Sequence, residues 1–330
     1  MRIGTILPHT KLYGGVRRFL ELGNLFEKAG HTPIIYTPEG LAPTWFDYRG
    51  EVKTFESLGD ETLDALFFTE PEYLQLALTA KAKRKIFYFI HPKERLTIFR
   101  KHPSIEIFAN STNLLELAQK KYKVKAFPAF GGINLSTHNP KPHFERNSSE
   151  PFVVMAYGRL ARKVKGTKYV INACKRLVKK GYNIELLLFD TPVSEKMKKK
   201  NGNLKLNIPF KFIQNHPVEK NQDLYHKAHV FVSAECSAGW SNTAAEAMAC
   251  GTTVIGTIAG TKNFLLDNQT GIIITQSSRK IAAAIELLIK DEPFRQALAK
   301  NGRMKIEEFD WSCLAETIIN RIAEPIDSND

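Results

Sequence analysis

The sequence is poor in cysteine, with four among 330 residues: Cys174, Cys236, Cys250 and Cys313. None forms a CxxC step or stands with a histidine at zinc-ligand spacing. That excludes a zinc module, a disulfide framework and dithiol redox chemistry, and leaves free, buried thiols as the expectation. No apolar run approaches the ~18 residues of a membrane-spanning helix. Met1 to Leu7 enters a short apolar run without a basic leader and a small-residue cleavage site, so a cytoplasmic protein is expected. The GxGxxG fingerprint of dinucleotide enzymes is missing, which demotes a nicotinamide cofactor. A DxD pair is missing too, and no metal or other cofactor is expected. No unit repeats with a period of about 20 to 50 residues and no segment is of low complexity, which removes solenoids and propellers.

What the chain has in excess is positive charge. Lys and Arg number 47 against 34 Asp and Glu, a net +13, which favours polyanionic partners: nucleic acid, anionic lipid headgroups or phosphorylated substrates. The cations gather at Lys81, Lys83, Arg84 and Lys85, at Lys120, Lys121, Lys123 and Lys125, and at Lys196, Lys198, Lys199 and Lys200. Most lie where amphipathic helices would turn polar faces to water, and each cluster reads first as a solvated face. No nucleic-acid recognition motif accompanies them, so nucleic acid is not expected as a partner. Exposed Lys and Arg beside apolar residues in the N-terminal half are compatible with peripheral contact at the inner, anionic face of a membrane.

With 43% hydrophobic residues the chain can bury two cores, one per ~150 residues. Short β-rich runs, Arg2 to Leu7, Thr32 to Tyr36, Ala65 to Thr69, Ile86 to Ile90 and Ile107 to Asn110, alternate with helical segments in the first half. After Gly15, Val16, Phe19, Leu20, Gly23 and Phe26 mark one face of a helix that stops near Gly30. That is a βαβ opening, and the alternation predicts a parallel sheet covered by helices. Residues 141–150 are rich in Pro, Asn, Ser and charge and lack an apolar period, which predicts a linker between an N-terminal domain, 1–140, and a second domain, 151–305. The second series runs through strands Phe152 to Tyr157, Ile184 to Phe189, Phe210 to Ile213, His229 to Ser233, Thr252 to Ile258 and Ile272 to Thr275. Helical periodicity closes the chain, and 306–330 is expected to return toward the first domain. The fold class is α/β: two doubly wound, Rossmann-like parallel sheets facing a cleft, with function on the loops that follow strands.

Three such loops carry chemistry. Gly14 and Gly15 directly precede the first helix, where backbone N–H groups at a positive helix end can approach a phosphate; an ordinary turn is the competing reading. The strand ending at Tyr157 runs into Gly158-Arg159-Leu160 and then Arg162, Lys163 and Lys165, a set of cations suited to a diphosphate leaving group, or else a charged surface loop. The densest signal is Ala238-Gly239-Trp240-Ser241-Asn242-Thr243-Ala244-Ala245-Glu246-Ala247-Met248-Ala249-Cys250-Gly251. Small residues lead into a short helix with a free N-terminus, and Glu246 lies one turn inside, where a carboxylate can accept from ribose hydroxyls. A buried Glu needs an answering group, and a ligand or a basic neighbour is expected.

These motifs resemble the large retaining glycosyltransferase family 4, of GT-B fold. The resemblance runs along nearly the whole chain. It includes the Gly14-Gly15 loop, Gly30-His31, the strand ending at His91, Pro128 with Gly132-Ile133-Asn134, Gly158-Arg159-Leu160, Lys165-Gly166 and the Glu246 to Gly251 motif. It implies a nucleotide diphosphate sugar as donor, bound by the second domain, and a glycan or lipid-linked acceptor, bound by the first, with retained configuration. Arg159 and Lys165 would clasp the diphosphate without a metal. Glu246 would bind the ribose, Thr243 and Ala244 the phosphates through backbone N–H beside Ser241 and Asn242, and Gly15 the diphosphate. The base would rest near Asn215 and His216, and His91 would contact the donor sugar. The leaving phosphate would help deprotonate the acceptor hydroxyl, so no nucleophilic carboxylate is required. Two positions depart from the pattern. Ala238 stands where the family carries a Glu that holds the transferred sugar, with Glu235 three residues earlier as its candidate replacement. One extra residue separates Arg159 from Lys165, which leaves Lys163 as the fallback. The rival readings are a GT-B epimerase or phosphorylase, and a non-catalytic sugar-nucleotide-binding protein.

Overall fold

The computed structural model describes residues 1–140, 150–190 and 203–325. Residues 141–149 of the expected linker and the cluster of Lys196, Lys198, Lys199 and Lys200 lie outside them. The chain forms two compact units, one comprising Met1–Gly132 with Phe309–Asp330 and the other Ile133–Glu308.

In the first unit, β1 (Arg2–Ile6), β2 (Thr32–Thr37), β3 (Glu51–Thr54), β4 (Thr62–Phe68), β5 (Lys81–Phe89), β6 (Ile105–Ala109) and β7 (Phe127–Pro128) build one sheet in the order β3-β2-β1-β4-β5-β6-β7. Every pairing is parallel. Central strands covered on both faces need near-continuous apolar runs. Leu66, Phe67 and Phe68 of β4 and Phe87, Tyr88 and Phe89 of β5 meet that need and are buried. The helix α1 (Gly14–Lys28) turns Val16, Phe19, Leu20, Leu22 and Phe26 onto one face of the sheet. On the other face, α2 (Leu74–Thr79) and α3 (Thr112–Glu116) contribute Leu74 and Leu114.

The second unit repeats the plan with β8 (Phe152–Tyr157), β9 (Ile184–Asp190), β10 (Phe210–Gln214), β11 (Val230–Ser233), β12 (Thr253–Gly256) and β13 (Ile272–Ile273), again all parallel, in the order β10-β9-β8-β11-β12-β13. Its helices are α4 (Thr167–Lys179), α5 (Gln222–Tyr225), α6 (Asn242–Ala249), α7 (Ser278–Lys290) and α8 (Glu292–Ile306). The chain then re-enters the first unit as α9 (Trp311–Ala323), packed beside α1. Residues 133–140 go with the second unit because its groups hold their backbone. Arg303 Nη1 donates to His138 O at 2.7 Å and the His226 ring nitrogen Nε2 bonds Asn139 O at 2.7 Å.

In each sheet the chain steps outward from its first strand and returns past it, so β1 lies between β2 and β4, and β8 between β9 and β11. The carboxyl ends of β8 and β11 thus flank a topological switch point, where open α/β sheets bind ligands. Two strands lay beyond sequence reading. β3 is a four-residue, half-buried edge, EVKT, without an apolar run, and β7 is a two-residue edge that ends in proline. All four cysteines are free as expected, but only Cys174 and Cys250 are buried; Cys236 and Cys313 are exposed.

Candidate functional site

At the switch point of the second unit, β8 ends in Tyr157 and β11 in Ser233, and their following loops interlock. Cys236 N–H donates to Val164 O at 3.0 Å. Gly166, at φ +69°, lies so close to the next segment that a Cβ would sit 2.0 Å from Ala234 O. Only glycine satisfies both demands. The close docking places the ammonium of Lys165 2.6 Å from Glu235 Oε1. Lys163, two residues earlier in the same turn, is exposed; the residue drawn to Glu235 is Lys165.

Arg159 is held from the opposite side. Its Nε and Nη2 lie 3.0 and 2.9 Å from Asp190 Oδ1, at the end of β9. Between the two ion pairs stands Tyr157, with the Arg159 guanidinium 5.4 Å and the Lys165 ammonium 5.5 Å from its ring centroid. Burial, then the Asp190 charge, pushes the Tyr157 phenol above its ordinary range, so it stays protonated and serves both cations as a π surface. Tyr157, Lys165, Glu235 and Thr243 line a cavity of about 10 Å³. Glu235 is buried, and its Oε2 has no hydrogen-bond partner, an acceptor that low dielectric makes costly to leave unanswered.

The helix α6 starts beside these groups. Its N-cap, Ser241, makes no side-chain cap bond. The Ser241 backbone N–H instead donates to Gly260 O at 2.8 Å, and its Oγ lies 3.3 Å from Ser233 Oγ. No side chain caps the first turn, with Asn242, Thr243 and Ala244, and no acidic residue stands in it, which suits an anion. Glu246 is buried. Tyr225 Oη donates to its Oε2 at 2.8 Å, and this neutral donor stabilises the carboxylate without bringing a charge of its own. His216 Nε2 bonds Lys220 O at 2.8 Å. Its neighbour Asn215, in the left-handed region at φ +57°, donates its N–H to Asp190 O at 3.1 Å, so the Asn215-His216 loop abuts the Arg159 partner.

The remaining expected residues belong to the first unit. Gly14 and Gly15 open α1, whose N-cap Tyr13 makes no side-chain cap bond either. A Cβ on Gly15 would come 2.8 Å from the Ile90 side chain, so the helix start presses on the residue before His91. His91 is exposed at the end of β5, and its Nδ1 accepts from Lys93 N–H at 3.2 Å.

Sequence reasoning missed Tyr157, Asp190 and Tyr225. A signal existed for the first two. Tyr157 immediately precedes Gly158-Arg159, and Asp190 is a carboxylate at the end of the strand beside β8.

Comparison with known proteins bears on the fold and the family. Over 196 residues the chain is 29% identical to the capsular polysaccharide biosynthesis glycosyltransferase CapM of Staphylococcus aureus, covering 57% of this chain and 51% of that protein. The chain thus spans about half the length of that relative. Sucrose-phosphate synthase from Thermosynechococcus elongatus superposes with a TM-score of 0.76 at 17% identity, over 97% of this chain and 98% of the other. Anabaena HepE, in complex with UDP and glucose, superposes with a TM-score of 0.74 at 14% identity, over 98% of this chain and 99% of the other. The expected GT-B architecture of two Rossmann-like domains is borne out by these neighbours and by both sheet orders. The model of the family described as glycosyl transferases group 1 matches residues 139–305, half of the chain and nearly all of the unit that holds Arg159, Lys165 and Glu246. The chain belongs to the glycosyl transferases group 1 family.

Proposed function

We propose that the chain is a retaining glycosyltransferase of family 4 that takes a sugar from a nucleotide diphosphate donor held by its second unit. The observation that carries this reading is the pair of cations, Arg159 and Lys165, gathered around Tyr157 at a strand switch point beside the uncapped start of α6. UDP and glucose in the HepE complex make UDP the first nucleotide to try.

In the proposed reaction the bond from the anomeric carbon to the diphosphate oxygen breaks, and a bond from the acceptor oxygen to that carbon forms on the same face. The acceptor proton passes to the departing diphosphate. Arg159 and Lys165 neutralise the charge growing on that leaving group, so the chain's own cations do the work that a metal does in other transferases. Thr243 and Ala244 offer backbone N–H groups to the phosphates, Glu246 the ribose contact and the Asn215-His216 loop the base contact. Gly14, Gly15 and His91 of the first unit are assigned to the same reaction. Glu235 takes over the sugar contact that Ala238 cannot make. The anomeric configuration of the product, read by NMR, tests the mechanism; an inverted linkage contradicts it.

The acceptor is proposed to be a glycan or a lipid-linked sugar met in the cytoplasm at an anionic membrane surface. Among the described residues no helix is long and apolar enough to cross a membrane. Lys120, Lys121, Lys123 and Lys125 are all exposed, and each contributes about 1 kcal/mol near an anionic surface. Changing all four to Ser is expected to abolish sedimentation with phosphatidylglycerol vesicles at low salt. Failure of the wild type to sediment rules the contact out.

A further inference from the structure

Glu246, which the donor reading assigns to the ribose, has its orientation set by a second residue. A glutamate side chain turns about several bonds, and a carboxylate that must meet a hydroxyl at one angle gives up that freedom either in folding or at binding. Here the fold removes it beforehand. Tyr225 Oη, on α5, donates to Glu246 Oε2, on α6, at 2.8 Å. Both residues are buried, and a hydrogen bond to an ionised acceptor in low dielectric is among the strong ones.

The phenol is itself held by separate contacts. Its ring packs edge-on against Phe189 of β9 and Phe231 of β11, with centroids 6.0 and 5.7 Å away at interplanar angles of 80° and 78°, an arrangement that aromatic rings prefer. Its main chain is tied to the helix that carries Glu246. Thr252 Oγ1 donates to Tyr225 O at 2.9 Å, and Thr252 N–H donates to Ala247 O at 2.9 Å. Tyr225 therefore meets α6 twice, by its hydroxyl at Glu246 and by its carbonyl through Thr252, just beyond the end of the helix. With ring and backbone both anchored, the hydroxyl has one place from which to offer its proton, and Oε2 is drawn to that place.

We propose that Tyr225 is a positioning residue for nucleotide recognition: it orients the Glu246 carboxylate and thereby sets the preference for a pentose that keeps its hydroxyls. The inference rests on the donor reading of Glu246. Tyr225 acts through that carboxylate and has no contact of its own with the nucleotide.

The test is calorimetry on the full chain with UDP, GDP, ADP and dTDP, each beside the forms that lack one pentose hydroxyl. In the wild type the best-bound diphosphate is expected to exceed at least one of its deoxy forms about tenfold, the size of a hydrogen bond to a charged group. Tyr225→Phe removes one oxygen and leaves the ring between Phe189 and Phe231, so the fold is kept. The parent diphosphate should then bind about fivefold more weakly, with the deoxy form nearly unchanged, and the preference should fall to about twofold. In a Glu246→Gln chain the preference is already lost, and adding Tyr225→Phe must leave the ratio where it is, because the tyrosine acts only through the carboxylate. A hydroxyl with a purely structural role shifts the melting temperature, or weakens parent and deoxy forms alike, and keeps their ratio. A ratio unchanged in Tyr225→Phe overturns the proposal and leaves the donor reading standing; so does a ratio that moves when Tyr225→Phe is added to Glu246→Gln. A wild type that binds a diphosphate without preferring its hydroxyls removes Glu246 from the pentose, and Tyr225 with it. A wild type that binds none of the four diphosphates overturns the donor reading itself.

Discussion

Lys165 Nζ lies 2.6 Å from Glu235 Oε1, across 70 residues of sequence. The ammonium is one-quarter exposed and the carboxylate almost fully buried, so a phosphate can reach the lysine while the glutamate stays enclosed behind it. In the proposed reaction Glu235 has two roles, a counter-charge that competes with the diphosphate and an acceptor for a hydroxyl of the transferred sugar. Glu235→Gln separates these roles. Without the competing charge, affinity for a nucleotide diphosphate lacking sugar is expected to rise about fivefold, the equivalent of one net hydrogen bond of ~1 kcal/mol. Turnover of the sugar nucleotide is expected to fall. Calorimetry and a transfer assay on one preparation check both; a variant unchanged in both measurements removes Glu235 from the site.

The approach of the Lys165 loop to β11 depends on a missing side chain. Gly166→Ala puts a Cβ 2.0 Å from Ala234 O at φ +69°, and the loop must retreat, taking Lys165 with it. The comparison is Gly181→Ala, at φ +89° with nothing within 4 Å of the added carbon, where only the left-handed backbone is strained. Denaturant melts should show a cost of about 1 kcal/mol for Gly181→Ala and about 3 kcal/mol for Gly166→Ala. Nucleotide binding should fall only in the second.

A titrating group in the first unit gives the protein a pH dependence. Glu94 follows His91, its N–H bonded to His91 O at 3.2 Å, and its Oε2 is enclosed without a partner. Burial first, and the Glu70 charge second, push its carboxyl from 4.5 up to about 9, against the pull of a His91 backbone bond. Glu70 is itself shifted upward by burial. The folded chain thus keeps a proton that the unfolded chain releases near 4.5, and stability must decline as pH rises from there to about 9. Glu94→Gln keeps the shape and cannot ionise. Its melting temperature is expected to match the wild type below about pH 4.5 and to exceed it progressively toward pH 9. Parallel curves would show that Glu94 ionises freely in the fold.

How much of this was legible depended on where each residue lies in the sheets. β8 was read to the residue, Phe152 to Tyr157, because both of its faces are covered and every position but Val153 and Tyr157 is buried. β3, a polar edge, offered no such run. Arg159, Lys165 and Glu246 announced themselves through local spacing and family resemblance. Their partners did not, because Asp190 lies 31 residues from Arg159, and Tyr225 21 from Glu246, on neighbouring elements, and strand order alone brings them together. Gly132 shows the same limit. It was singled out as a motif residue, but its reason is Trp311, whose ring would sit 2.2 Å from an added Cβ. Nor did spacing reveal Arg18, buried between the rings of Tyr88 and Trp311, at 5.3 and 5.1 Å, and donating to Gly131 O at 2.6 Å.

The central claim is that Arg159 and its neighbours hold a nucleotide diphosphate, and thermal unfolding with UDP, GDP, ADP, CMP and dTDP, and with their sugars, tests it most directly. Each protein is compared with its own ligand-free midpoint, since Arg159→Ala removes a cation paired with the buried Asp190. One diphosphate is expected to stabilise the wild type by about 2.7 kcal/mol at a hundredfold excess over its Kd, and to leave the Arg159→Ala midpoint where it was. If no nucleotide moves the wild type, or the same one moves both proteins equally, Arg159 does not hold the donor and the account fails.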